Sequence, residues 1–545
     1  MSVRGTVYQA FRRSVDAAAA SEFLCILPET AARYGIEART YSYAEAAQEV
    51  EALLGRYRAA GFGHGHRAGL VLENRPAFFF HWLALNALGV SVVPINPEWR
   101  SAELEYLIDH SEIGVAIAPR DRAADLIRSV AGAGRPLAIA TEDLTGLQEA
   151  PTACPHSQES VGVDTECALL YTSGTTGRPK GCVLPNEYYL WAGSWYAQAG
   201  GLCEIVPGTE RLATPLPMSH MNAMAYSTMA MLLTGGCLIP LDRFHPATWW
   251  ESVRRSRASI VHYLGVMPAM LLGAPHDERD RDHSVRFGFG AGVSSRLHAT
   301  FEERFGFPLL EAWAMTETGA GAVVIANREP RKVGTACFGK PQAAVECRVV
   351  DERGDAVAAG EPGELLVRHA GSQPRFGFFR EYLKDPEATA QAWEGDYFHT
   401  GDIVRVDAEG DFHFVDRKKN VIRRSGENIS AVEVESVLLQ HPQIASVGVT
   451  AVPDAVRGDE VMACIVTRAL LTGTEHARFA HEVVDFCLAR LAYFKAPGYV
   501  AICERLPLTP TEKIQRAALK ELALALRNSS ACVDTRARKK RAPVA

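Results

Sequence analysis

The sequence predicts an α/β protein. A large N-terminal part is built on parallel-type sheets covered by helices, a hairpin-rich stretch follows, and a small α+β unit closes the chain. Three observations carry this. Between 41 and 118, short apolar runs alternate with helix-length segments, the pattern of a parallel sheet covered on both faces. Between 340 and 416 the pattern changes to two-residue alternation around turns. From about 420 a second unit of strands and helices begins. A chain of 545 residues exceeds one ordinary core, and its length suggests roughly three or four compact units.

The elements follow in order. Ser42 and Glu45 are spaced as a capping box opening a helix to about 59. Residues 68–72 read as a buried strand, 76–88 as a helix, 90–95 as a strand and 101–110 as a helix. Residues 150–166 are polar, carry Pro151 and Pro155, and read as a loop. The apolar stretch 221–241 raises the question of a membrane span. Asn222, Ser227, Thr228, Thr234, Gly235 and Gly236 interrupt it, so a buried helix turning into a buried strand fits better. Val404 and Val406 alternate before the turn 408–411, and Phe412 and Phe414 after it. Ser430 and Glu433 again have capping-box spacing, for a helix ending before Pro442. Strands at 444–451 and 460–467 follow, then an amphipathic helix through Val484, Leu488 and Leu491, and a last helix over 516–526. The end beyond 528, with Arg536, Arg538, Lys539, Lys540 and Arg541, reads as a disordered solvated tail.

Composition excludes several classes. A hydrophobic fraction of 47% with 22% charged residues is ordinary for a soluble globular protein. A formal net charge of −7 gives no electrostatic reason to expect nucleic acid. The 12 cysteines show no C-x-x-C and read as reduced thiols of a cytoplasmic-type compartment. There is neither H-E-x-x-H nor a Cys/His cluster for a transition metal. Arg4, Arg12 and Arg13 lack an apolar signal-peptide core, and Asp16 and Glu22 argue against a transit peptide. Stable membrane insertion is not expected.

Residues 171–181, YTSGTTGRPKG, carry the strongest chemical signal. After the apolar run Ala168-Leu169-Leu170 and Tyr171 come Thr172, Ser173, Gly174, Thr175, Thr176 and Gly177, then Lys180. Glycines admit an anion to the backbone, hydroxyls and amides donate, and the lysine brings a mobile positive charge. These are the needs of a polyphosphate-gripping loop. The Walker spacing fails, since Pro179 stands where the second glycine belongs and Gly181 follows Lys180. A flexible linker shares the composition but not the order of strand, hydroxyl-rich turn and lysine.

Four further segments stand out. PLPMSHMNA, 215–223, centres on His220. FGFGAG, 287–292, allows close backbone approach at Gly290, Ala291 and Gly292 without forming G-x-G-x-x-G, so it is no Rossmann fingerprint. EAWAMTETG, 311–319, places Glu317 between Thr316 and Thr318, an oxygen set suited to Mg²⁺. YFHTGD, 397–402, presents Asp402, whose carboxylate can accept two ribose hydroxyls.

Together with DRKKNVIRRSGENIS, 416–430, and PLTPTEKIQR, 507–516, these motifs resemble the adenylate-forming enzymes over roughly 40–525: acyl- and aryl-CoA synthetases, firefly luciferase and peptide-synthetase adenylation domains. The resemblance implies ATP, Mg²⁺ and coenzyme A as co-substrates and cofactor, with a large domain over 1–416, a hinge over 417–419, a small mobile domain over 420–528 and a tail over 529–545. It implies that Glu317 binds magnesium, that Thr316 contacts the α-phosphate and that His220 lies beside the substrate carboxylate. Trp313 falls where a tyrosine stacks on adenine, Ala314 replaces a glycine, and Met315 completes that nucleotide-binding turn. Asp402 holds the ribose, Arg417 the ribose or phosphate, Lys419 is the hinge, and Lys513 bridges carboxylate and α-phosphate. Glu512 departs from the glycine usual before that lysine.

The implied reaction has two halves. A carboxylate attacks the α-phosphate of ATP, giving an acyl-adenylate and pyrophosphate; a thiol then displaces AMP. Ser425, Gly426 and Glu427 resemble the CoA-ligase segment whose glycine makes room for the pantetheine arm, with Arg423 and Arg424 suited to phosphates. The segments 334–341 and 416–430 look most like crotonobetaine/carnitine-CoA ligases. Tyr188, Trp191, Trp195 and Tyr196 could cage a quaternary ammonium, although the shared helix face of 188, 191 and 195 suits core packing. A short- or medium-chain acid and an aryl acid stand beside that substrate. A non-catalytic nucleotide-binding relative is the other class, opposed by intact Lys513, Glu317 and Asp402. A monomer or homodimer is expected.

Overall fold

The computed structural model describes residues 4–156, 158–172, 179–417, 421–471, 473–507 and 514–539. Its first sheet has seven strands, and its interior is parallel as the apolar runs predict. Arg67–Leu70 lies between Ser91–Pro94 and Val115–Ala118, and Ala138–Thr141 continues one edge. On the other side Glu166–Thr172 runs parallel to Ser91–Pro94, then turns back as Lys180–Pro185, antiparallel, with Glu381–Tyr382 outside it. Ser42 accepts from the Glu45 amide and Glu45 returns to the Ser42 amide, the full capping box of helix Tyr43–Ala59. Helix Pro76–Ala87 opens on a proline and is buried on nearly every side, as a helix apolar all round must be.

The second, fourteen-stranded sheet joins two patterns. Glu22–Cys25, Cys237–Pro240, Arg211–Thr214, Ile260–Leu264, Phe287–Ala291 and Leu309–Trp313 form a parallel half. Beyond Leu309–Trp313 the pairing becomes antiparallel through the hairpin region, ending on Tyr397–Val406, Pro362–His369 and Val345–Val350. The stretch 221–241 folds as a π-helical turn, Asn222–Ser227, a helix, Thr228–Thr234, and the buried strand Cys237–Pro240. Among the described residues no helix is long and apolar enough to cross a membrane. All 12 cysteines are free thiols.

The third sheet, of six strands, has its own apolar core around Val449, Val461, Val483 and Val500. Two expectations change here. Ser430 caps helix Ala431–Leu438 through the Glu433 amide, but the Glu433 carboxylate leaves the cap and meets Lys495 Nζ at 2.8 Å. The tail from 529 is folded as far as 539 rather than solvated. Cys532–Asp534 adds an edge strand against Tyr499–Ile502. Arg536 pairs with Asp534 and Asp454, Arg538 with Asp485, and Lys539 Nζ lies 2.5 Å from the buried Glu460 carboxylate. The basic residues have acidic partners on the unit they follow, which a reading of the tail in isolation misses.

Candidate active site

The phosphate-gripping motif flanks a hairpin. Thr172 and Lys180 are register partners on Glu166–Thr172 and Lys180–Pro185. Ser173, Gly174, Thr175, Thr176 and Gly177 lie outside the described residues. The Lys180 ammonium stands 4.7 Å over the Tyr382 ring and 3.5 Å from Asp385 Oδ2. The Tyr382 hydroxyl donates to Glu317 Oε1 at 3.0 Å, and Thr172 Oγ1 donates to the same oxygen at 3.3 Å. Lysine, two hydroxyls and a carboxylate therefore form one continuous polar wall. Tyr382, on strand Glu381–Tyr382, and Asp385, just after it, were missed by the sequence reading, because they lie about two hundred residues away in the chain. The D-P-E start of helix Pro386–Ala392, capped by Asp385, was the available signal.

Glu317 follows strand Leu309–Trp313 in a turn held by Thr318, whose hydroxyl accepts from the Met315 amide at 3.0 Å. The Thr316 carbonyl accepts from Tyr188 Oη at 2.9 Å. One buried carboxylate among hydroxyls fits Mg²⁺, which usually takes one or two carboxylates and completes its shell with phosphate oxygens and water.

Glycine is obligatory at 290, where a Cβ would fall 2.2 Å from the Tyr263 carbonyl oxygen, and Gly292 has a φ of +80°. Glu311 braces this loop. Its carboxylate accepts from the Gly292 and Val293 amides, at 2.9 and 3.0 Å, and from Tyr263 Oη at 2.8 Å. Burial pushes its carboxyl above the usual range, against the pull of the amides. Glu311 was quoted within its motif but given no role.

These groups open onto one cleft of about 1300 Å³. Thr172, Lys180, His220, Gly290, Ala291, Gly292, Ala314, Met315, Thr316, Glu317 and Gly426 all line it. His220 Nε2 is 3.6 Å from Glu427 Oε2, and Asn96 Nδ2 donates to Glu427 Oε1 at 3.5 Å. Ser425 and Gly426 form the tight turn between Val421–Arg424 and Glu427–Ser430, with φ of +50° and +92°. Arg424 differs from expectation. It is buried on Glu460 at 2.9 Å and so is committed within the third sheet rather than offered to phosphates.

Trp313 and Asp402 also sit differently from a stacking platform and an open ribose acceptor. Neither lines the cleft; both are buried, and Trp313 Nε1 donates to Asp402 Oδ2 at 2.9 Å. The indole packs on Phe338 instead. Arg417 is the backbone register partner of Asp402. Lys419 and Lys513 lie outside the described residues. The aromatic group of helix Asn186–Gln198 is core. Tyr188 bonds to Thr316, Trp191 Nε1 to the Ala320 carbonyl, Trp195 packs on Tyr226, and Tyr196 packs on Phe289; none of the four lines the cleft.

Fold and cleft define a two-part nucleotide-using ligase, and the comparisons agree. The family model of the AMP-binding enzymes matches residues 26–383, and that of the AMP-binding enzyme C-terminal domain matches 433–513. The chain is 30% identical over 496 residues to crotonobetaine/carnitine–CoA ligase of Salmonella paratyphi C, covering 88% of this chain and 93% of that one. Its fold resembles o-succinylbenzoate CoA synthetase of Bacillus subtilis bound to a product analogue, with TM-score 0.79, 22% identity, and 95% and 99% of the two chains covered. The same enzyme with its acyl-adenylate intermediate gives 0.64 at 23% identity, covering 95% and 98%. A malonyl-CoA ligase with methylmalonyl-CoA and AMP bound gives 0.70 at 26% identity, covering 90% and 97%. The chain belongs to the AMP-binding enzyme family, the adenylate-forming ligases. It is an AMP-forming acid–thiol ligase of the acyl-CoA synthetase type, using ATP, Mg²⁺ and coenzyme A.

Proposed function

We propose that this enzyme activates a short- or medium-chain carboxylic acid as its acyl-adenylate and passes the acyl group to coenzyme A. The observation that carries the reading is the single cleft in which Thr172, Lys180 and Glu317 share a wall with Gly290–Gly292, His220 and Gly426. In this reading the 172–180 segment grips the β- and γ-phosphates and Glu317 holds Mg²⁺, which supplies charge neutralisation on the phosphates. Thr316 contacts the α-phosphate, His220 lies beside the acid, and Arg417 serves the ribose, with Asp402 acting from behind the cleft wall that its strand neighbours Thr400 and Gly401 form. Lys513 stabilises charge at the α-phosphorus. Tyr188, Trp191, Trp195 and Tyr196, the aromatic group that could cage a cation, do not line the cleft. That favours an uncharged acyl group over the quaternary ammonium acid in the curated relatives' name, and leaves an aryl acid as the second reading.

The two halves of the reaction make opposed demands on one site, since Lys513 must be present for the first and the thiol must enter for the second. We assign the change to rotation of a small domain, 420–528 together with the strand and basic residues that continue its sheet to 539, on a large one, 1–416, about 417–419 with Lys419 as pivot. The higher TM-score against the product-analogue complex than against the acyl-adenylate complex supports an arrangement of the thioester-forming kind. A Cβ on Gly426 would fall 2.3 Å from Leu264 Cδ1, so this residue has space only for a hydrogen, which suits a narrow path for the pantetheine arm. The free thiols favour a cytoplasmic location, and the enzyme works as a monomer or homodimer. The test is pyrophosphate release from ATP across a panel of carboxylic acids, with and without CoA. Acid-dependent release that yields thioester only with CoA is expected; release independent of every acid would overturn the reading.

A further inference from the structure

Behind the His220 end of the cleft lies a wired group of polar side chains that the reaction itself does not use. His262 is wholly buried on strand Ile260–Leu264. Its Nε2 is 3.0 Å from Tyr196 Oη, and its Nδ1 is 2.7 Å from Asn222 Oδ1 and 2.8 Å from Ser227 Oγ. Ser227 Oγ also donates to the Asn222 carbonyl at 3.2 Å. Asn222 and Ser227 are the two ends of the π-helical turn, a local distortion that recurs at functional sites.

The proton positions follow from this inventory. Burial drives the His262 pKa down to about 3, so the ring is neutral and has one donor and one acceptor. Tyr196 is fully buried, its pKa is raised by burial, and it therefore keeps its proton. Nδ1 faces Asn222 Oδ1, which can only accept, so Nδ1 carries the ring hydrogen and Nε2 accepts from the Tyr196 hydroxyl. Ser227 spends its own proton on the Asn222 carbonyl, so its oxygen accepts. The Nδ1 hydrogen is then shared between Ser227 Oγ and Asn222 Oδ1. With Oδ1 engaged, the Asn222 amide has its NH₂ remaining, and Asn222 lines the cleft.

The walls around it are apolar. Phe289 is the register partner of His262 on the next strand, Leu264 follows His262 on the same face, and Tyr226 is on the same π-helical turn with its hydroxyl donating to the Gly319 carbonyl. All three line the cleft, and none brings a charge to it. We infer that Asn222 is a specificity residue, its amide held by His262 as a fixed hydrogen-bond donor, so that the enzyme prefers acids carrying an uncharged acceptor oxygen (hydroxyl, ether or oxo) on the acyl chain. This rests on the acid-activating reading above and narrows its substrate class. The physical basis is that a site built to hydrogen-bond a substrate group rejects an analogue lacking it far more strongly than an apolar pocket rejects a size change.

The experiment compares straight-chain acids with hydroxy and oxo analogues of the same length, by kcat/KM for pyrophosphate release and, separately, by calorimetric binding with AMP present. Wild type should favour the best acceptor-bearing acid by about tenfold or more. Asn222→Leu should bring that ratio near unity. His262→Phe, which touches no ligand, should lower it in the same direction, chiefly through KM. Equal affinity of wild type for plain and acceptor-bearing acids would overturn the inference. So would an Asn222→Leu variant that weakens every acid alike, because the amide would then be reading the common carboxylate. If no acid supports pyrophosphate release, the reading of the reaction falls, while the binding arm still decides the role of Asn222.

Discussion

Trp313 Nε1 donates to Asp402 Oδ2 at 2.9 Å, with both side chains buried between the end of one sheet strand and the hairpin that follows. Two residues that the motifs treat as separate nucleotide contacts are thus one coupled pair. A hydrogen bond to a buried carboxylate is worth about 1.5–3 kcal/mol. Trp313→Phe should lose stability on that scale and should weaken ATP binding by displacing Asp402. Asp402→Ala should weaken ATP about tenfold to a hundredfold. The decisive measurement is the double-mutant cycle; strictly additive losses would show that the two residues serve ATP independently.

A second pair of elements is locked by charge. Lys495 Nζ is 2.5 Å from Glu103 Oε1 and 2.8 Å from Glu433 Oε1, and Glu103 Oε2 accepts from the Ala492 amide at 2.9 Å. Burial by itself would strip the ammonium of its proton, but the two carboxylates outweigh it and hold its pKa above the usual lysine range. Lys495→Met leaves both carboxylates buried without their cation, a loss of about 3–5 kcal/mol at this interface. Small-angle scattering should report a loosened arrangement of the two units, and thioester formation should slow more than adenylation. Unchanged scattering with both half-reactions intact would show that this triad does not hold the interface.

Lys513 is tested by splitting the reaction. Lys513→Ala should cost about 10²–10³ or more in adenylation, the scale of one preorganised charge donor. ATP binding should be largely kept, and thioester formation from presynthesised acyl-adenylate should survive. Equal loss in both halves would remove the assignment.

The opposite split is expected at Gly426 and Lys419. Gly426→Ala places a methyl against Leu264 at a φ of +92°, a conformation costly for any L-residue. Lys419→Pro fixes φ near roughly −65° at the proposed pivot. Each should impair thioester formation about tenfold or more relative to adenylation, with acyl-adenylate accumulating in pre-steady-state traces. Wild-type rates of acyl-CoA formation in Lys419→Pro would move the pivot elsewhere.

His262 gives a pH dependence with a definite sign. Its folded pKa of about 3 lies below the ordinary 6.5, so between those values the unfolded ring binds a proton that the folded ring does not. Stability should therefore fall as pH drops through that window, by up to about 1.4 kcal/mol per unit from this residue, and should be indifferent to it above about 6.5. Denaturation of wild type and His262→Gln at several pH values checks this. The difference between the two proteins should shrink toward acid, and a constant difference would mean that His262 titrates in the folded protein as it does in the unfolded chain.

The sequence by itself determined what local chemistry determines. Apolar runs set the parallel strands, Ser42 and Glu45 the helix start, Val404 to Phe414 the hairpin, and the order of glycines, hydroxyls, Lys180 and Glu317 the kind of ligand. Motifs of this sort are legible because their residues lie within a turn of one another. Only tertiary structure decided which distant partners each group meets. Tyr382 reaches Glu317 because Glu381–Tyr382 pairs with Lys180–Pro185, across about two hundred residues of chain. Glu433 abandons its cap for Lys495, and Arg424 and Lys539 settle on Glu460, because a buried charge must find its counter-charge wherever the fold supplies one. The same holds for His262 and Asn222. Forty residues separate them in sequence, and the packing of the π-helical turn against strand Ile260–Leu264 places them 2.7 Å apart.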